Sequence, residues 1–182
     1  MKILAIIGSK NNEGQTARAV NALLAGAKAK GADCEELYLT KVRLEHCNQG
    51  GKDGWGTCSS KGVCEIKDDF AKVVGKIRES DAVVFATPVY FSDLGESMKA
   101  FLDRLRRISV SKTGRESIAG KKAIGICVAG GGGGGAPRCS YLLQETLATC
   151  GFDVIDMVPA RRQNLDMKVK ALKIAGEWLA GA

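Results

Sequence analysis

Three stretches of the chain carry residue types that could bind an anionic, planar ligand. The first is Gly8-Ser9-Lys10-Asn11-Asn12-Glu13-Gly14-Gln15-Thr16. It leaves an apolar run and opens a helical pattern. Free backbone N–H groups at a helix start, reinforced by the helix dipole, make such a turn an anion site. Ser9 and Thr16 offer hydroxyl donors, Asn11 and Gln15 amide donors, and Gly14 is the second of two glycines. The turn is not a Walker loop, because its glycines are one residue too far apart and Gln15 stands where the lysine belongs. It is not a dinucleotide fingerprint either. A single phosphate on neutral donors fits it better; the plainer alternative is a βα turn capped by Thr16.

The second stretch is Thr87-Pro88-Val89-Tyr90-Phe91-Ser92. Pro88 removes a donor and fixes φ. Tyr90 and Phe91, just past a buried strand, are poorly placed for core and could border a flat ring, or else cover the end of the sheet. The third is the run Gly130, Gly131, Gly132, Gly133, Gly134, Gly135. Backbone without side chains can approach a flat ligand closely, at a high ordering cost. A mobile surface loop is the competing reading.

The elements that must position these stretches follow from periodicity. Ile3–Ile7, Ala82–Ala86 and Ala123–Ala129 are continuous apolar runs of buried-strand length; Asp33–Leu39 and Phe152–Val158 complete a set of five. Helical spacing covers Thr16–Lys30, Asp68–Ser80, Ser97–Arg107, Pro137 to about Cys150, and Asp166–Leu179. Thr87-Pro88 is expected to end the third strand. Five βα units in series predict one α/β domain over residues 1–182. It is a doubly wound, flavodoxin-like five-stranded parallel sheet in order 2-1-3-4-5, with helices on both faces. Ligands of such sheets sit at the carboxyl ends of the strands, where strand order reverses. The three stretches should meet there.

Composition narrows the function classes. The 182 residues carry 27 Lys and Arg against 20 Asp and Glu, a surplus that suits a phosphate-bearing ligand. Few aromatics stand among the basic residues, so a base-stacking nucleic-acid surface is not expected. Apolar runs are too short to span a bilayer and no secretory signal is evident, so a cytoplasmic chain is expected. The basic stretch Arg104–Arg115 reads as a solvated helix face that could attract nicotinamide phosphates. Seven cysteines are then free thiols. Three of them, Cys47, Cys58 and Cys64, share the Gly-rich loop 40–66 beside His46.

The segments GSKNNEGQT at 8–16, CEIKDD at 64–69 and SDAVVFATPVYFSDLGESMKAFLDRL at 80–105 resemble the NADPH-dependent FMN reductase family of flavodoxin-like proteins. The resemblance implies an oxidoreductase. Its FMN phosphate would be held by Ser9, Asn11, Gln15 and Thr16, its ring bordered by Pro88, Val89, Tyr90, Phe91 and Ser92. The backbone of Gly130–Gly133 would approach the ring's edge. NADPH or NADH would be the co-substrate; a free flavin, quinone, metal ion or protein the acceptor; a homodimer or homotetramer the assembly. No side chain is singled out as catalytic. Asn11 and Gln15 stand where the family usually has Arg and Asn.

A related group, the iron-sulfur flavoproteins, carries a compact four-cysteine motif after the second strand. Cys47, Cys58 and Cys64 are a remnant or variant of it, short of the four thiolates such clusters ordinarily use, and no metal ligand is assigned. Two alternatives follow. One is an electron-transfer flavoprotein of that group that does not use nicotinamide directly. The other is a response-regulator-like domain, which needs an acidic cluster that residues 8–16 do not supply.

Overall fold

The computed structural model describes residues 1–50, 53–131 and 133–181. In chain order the elements are β1 (Lys2–Ile7), α1 (Gln15–Ala29), β2 (Asp33–Tyr38), α2 (Thr57–Lys61), α3 (Phe70–Glu79), β3 (Ala82–Tyr90), β4 (Asp93–Leu94), α4 (Glu96–Ile108), α5 (Lys112–Glu116), β5 (Lys122–Ala129), α6 (Ala136–Cys150), β6 (Asp153–Arg161) and α7 (Leu165–Gly181). Five parallel strands run β2-β1-β3-β5-β6, with β4 a two-residue antiparallel partner of β3. This is the expected doubly wound order, with one extra short strand.

Side-chain alternation along the strands builds a core on each face of the sheet. Leu4, Ile6, Val83 and Phe85 point into a cluster with Phe70, Phe101, Leu105 and Leu143, under α3, α4 and α6. Ile3, Ala5, Ile7, Val84 and Ile126 point the other way, to Val20, Leu23, Leu172 and Leu179 of α1 and α7. The α1–α7 crossing is unusually close. A Cβ on Gly26 would lie 1.9 Å from the Lys173 carbonyl oxygen, and one on Gly176 would lie 1.9 Å from that of Leu23.

The third strand does not stop at Thr87-Pro88. Its pairing with β1 ends at Ala86, whereas its pairing with β5 continues through Pro88 opposite Val128. Beyond Ala86 one side of β3 is therefore an edge, where a missing N–H costs no ladder bond. Strand β6 likewise passes Pro159, on the outer edge of the sheet, with a bulge opposite Ala123–Ile124.

Candidate functional site

The three singled-out stretches converge above the carboxyl ends of β1, β3 and β5. Ser9, Asn11, Gly14, Gln15, Thr16, Pro88, Val89, Tyr90, Val128, Gly130 and Gly131 line one cleft of about 460 Å³. Phe91, Ser92 and Gly133 lie in an adjoining hollow of about 260 Å³, which shares Val89, Gly130 and Gly131 with the cleft. Gly132 lies outside the described residues. Val128 is an addition to the expected set; its place two residues before the glycine run was the available signal.

The start of α1 is built for an anion. Gly14 occupies the N-cap position in extended conformation, and no side chain caps it, so Thr16 is not the cap. The first helical bond runs from the Arg18 N–H to the Gly14 carbonyl, at 2.9 Å. The N–H groups of residues 15–17 precede it and need partners from outside the helix. Asn11 shapes the turn, its Oδ1 accepting the Glu13 N–H at 2.9 Å. Gln15 Oε1 is buried without a partner. The cleft lining carries no charged side chain, so any phosphate there is met by neutral donors and a helix dipole.

The β3 turn is strained. Phe91 and Ser92 have φ of 50° and 67°, a region that side-chain-bearing residues seldom occupy and that concentrates at functional sites. The Gly95 N–H donates to Thr87 Oγ1 at 3.0 Å and pins the turn. Tyr90 is 61% exposed and Phe91 105%; neither covers the sheet end. At the far end of the glycine run, a Cβ on Gly135 would sit 2.6 Å from Ser92 Oγ, so the two loops meet closely. A Cβ on Gly130, Gly131, Gly133 or Gly134 would meet nothing within 4 Å. The chain's own packing therefore does not account for these four glycines.

Beyond Tyr90, a further hollow of about 290 Å³ is lined by Lys10, His46, Glu96 and Ser97 among others. His46 Nε2 stands 3.6 Å from Glu96 Oε1 at its rim.

The cysteine loop is organised around Arg104, which is 1% exposed and not on a solvated face as expected. Its Nη1 and Nη2 donate to Asp68 Oδ2 and Oδ1 at 2.6 and 2.9 Å. Nη1 also donates to the Glu45 carbonyl at 3.0 Å, and Nη2 lies 3.3 Å from Cys64 Sγ. The guanidinium stacks 4.2 Å from the Phe70 ring centre. Burial pushes the Asp68 carboxyl up. Arg104 and the N–H groups of Glu45 and Phe70 outweigh it and hold the group below the usual carboxylate range. Arg107, one turn on, donates to the Gly54 carbonyl and stacks 4.5 Å from Trp55. Cys47, Cys58 and Cys64 line a void of about 10 Å³ with both arginines. Among the described residues, no group of three or more His, Cys, Asp or Glu side chains is arranged to hold a metal ion. No helix among them is long and apolar enough to cross a membrane.

The model of a family described as NADPH-dependent FMN reductase matches residues 1–164. An iron-sulfur flavoprotein of Archaeoglobus fulgidus is 32% identical over 105 residues, which is 58% of this chain and 46% of that protein. An iron-sulfur flavoprotein of Methanocaldococcus jannaschii is 30% identical over 131 residues, 72% of this chain and 65% of that one. The chain thus spans about half to two-thirds of the length of these relatives. Among solved structures, an NAD(P)H:quinone oxidoreductase of Methanothermobacter marburgensis has the same fold. Its TM-score is 0.70 at 21% identity, over 98% of this chain and 96% of that one.

Proposed function

This chain belongs to the NADPH-dependent FMN reductase family, and from that premise we propose that it is an FMN-dependent oxidoreductase whose flavin is held in the 460 Å³ cleft. The carrying observation is the convergence of the uncapped α1 start, the strained β3 turn and the open glycine run on one hollow. The residues fit the group. The N–H groups of residues 15–17, with the hydroxyls of Ser9 and Thr16, would hold a monophosphate. The orphaned Gln15 Oε1 would take a hydrogen bond from the polyhydroxyl tail. Val89, Tyr90 and Phe91 would border the ring, and Gly130 and Gly131 would let the backbone reach its edge.

Bound there, FMN would supply the two-electron chemistry, taking hydride from NADPH or NADH and passing electrons to a quinone, free flavin, metal ion or protein acceptor. The chain's own part is to bind, orient and leave one approach open. Its neutral phosphate donors add no cation beside the ring. Tyr90, exposed between two hollows, flanks the side on which a nicotinamide could stack. No side chain of the cleft need act as acid or base. A homo-oligomer is part of this reading; Met167, Ile174 and Trp178 leave an exposed apolar stripe on α7.

Anaerobic addition of NADPH to the FMN-loaded protein tests the reaction. Bleaching of the yellow colour, reversed by a quinone, is expected. A yellow protein that neither NADPH nor NADH bleaches would instead be an electron carrier.

A further inference from the structure

We infer that Cys58 and Cys64 form a redox-closable thiol pair, and that the loop carrying them does not hold an iron–sulfur cluster as the names of its relatives suggest. The inference is independent of the flavin reading.

Local folding brings the two cysteines to one void. Helix α2 ends at Gly62, whose left-handed conformation turns the chain back on itself. Thr57 Oγ1 then donates to the Val63 carbonyl at 2.8 Å, and the Thr57 N–H donates to Glu65 Oε1 at 3.1 Å. Residues 57–58 thereby run beside 63–65, and Cys58 and Cys64 line the same void, each half-buried.

Size and ligand number decide against a cluster. A void of about 10 Å³ is about the space of one water molecule. An iron–sulfur cluster is far larger and ordinarily takes four thiolates; three cysteines are present here. Arg104 and Arg107 both face the void, and the Nε of each is buried without a partner. Two guanidinium groups favour a sulfur that carries negative charge. Arg104 Nη2 lies 3.3 Å from Cys64 Sγ, and this contact assigns Cys64 the attacking role. Burial pushes the Cys58 thiol up in spite of Arg107, which suits the second, protonated partner.

The oxidant is a peroxide. Cys64 thiolate attacks one peroxide oxygen; an S–O bond forms, the O–O bond breaks, and one water leaves with a proton from solution. Cys58 then attacks the resulting sulfenic sulfur; the S–S bond forms, the S–O bond breaks, and a second water carries off the hydroxyl with the Cys58 proton. Two thiols and one hydrogen peroxide become one disulfide and two waters, the sulfurs giving up two electrons.

The test uses the full chain, purified anaerobically. One portion is incubated with ferrous iron and sulfide, desalted and assayed. Another receives one equivalent of hydrogen peroxide, is alkylated and is mapped by mass spectrometry without reduction. Iron well below one atom per chain and a Cys58–Cys64 cross-linked peptide are expected. The cross-link should persist in Cys47→Ser and vanish in Cys58→Ser and Cys64→Ser. Iron near about four atoms per chain with matching sulfide, a cross-link through Cys47, or no cross-link at all overturns the inference. The wild-type map decides even if a variant folds poorly.

Discussion

Arg104→Met is expected to destabilise the protein by about 3–5 kcal/mol, as removal of one partner from a buried ion pair does. The side chains of Arg104 and Asp68 are 1% and 0% exposed. Without the guanidinium, the Asp68 carboxylate is left in the interior with only the Glu45 and Phe70 N–H groups. Loop 43–68 also loses its tie to α4 through the Glu45 carbonyl. Urea unfolding at neutral pH measures the change as a lower midpoint at unchanged slope. Adding Asp68→Leu to Arg104→Met should recover much of the loss, because the unpaired charge is then gone. Lys99→Met, which breaks only the exposed pair with Asp103 on the same helix, should cost under about 0.5 kcal/mol.

The same pair predicts a pH dependence. The Asp68 carboxyl is held below its unfolded value. Its contribution is therefore fully present above the unfolded value of about 3.9 and lost as pH falls through the lower folded value. Wild type should lose stability on acidification below about pH 4 more steeply than the Arg104→Met, Asp68→Leu double variant.

Gly131→Val should weaken FMN binding by about tenfold or more, the effect of roughly 1–3 kcal/mol of overpacking in the cleft. Space and backbone make this variant selective. A Cβ on Gly131 meets nothing within 4 Å, and its φ is not in the left-handed region, so the chain itself has no objection to a side chain there. The position nonetheless lines the cleft. Thermal unfolding of the flavin-free variant should match wild type. Unchanged FMN affinity would mean that the ring does not approach the glycine run.

Much of this was readable from residues. Apolar runs of strand length separated by helical spacing were enough for the strand order, and the rule for ligands at the reversal point brought Ser9–Thr16, Val89–Tyr90 and Gly130–Gly131 together. The strand end at Thr87-Pro88 was misread because a proline breaks a ladder only where its N–H is needed. The early departure of β1 from β3 is tertiary information. The positive φ of Phe91 and Ser92 had no glycine to announce it. Arg104 read as solvated because charged side chains usually are. Yet it stands three residues after Phe101 and four before Ile108, on the inward stripe of α4, and that spacing was the available signal. Its partner Asp68 opens the expected helical segment 68–80; its Oδ1 accepts the Phe70 N–H, while its main tie is the ion pair.

The most direct test of the account compares FMN with riboflavin, which lacks only the phosphate, by fluorescence titration of the flavin-free protein. Loss of charge-assisted hydrogen bonds at about 1.5–3 kcal/mol each predicts that FMN binds stoichiometrically at micromolar protein and riboflavin at least about a hundredfold more weakly. In Ser9→Ala, FMN should weaken by about tenfold while riboflavin stays where it was. Equal affinity for the two flavins, or no quenching by either, would contradict a phosphate seated at the start of α1 and with it the cleft as the flavin site.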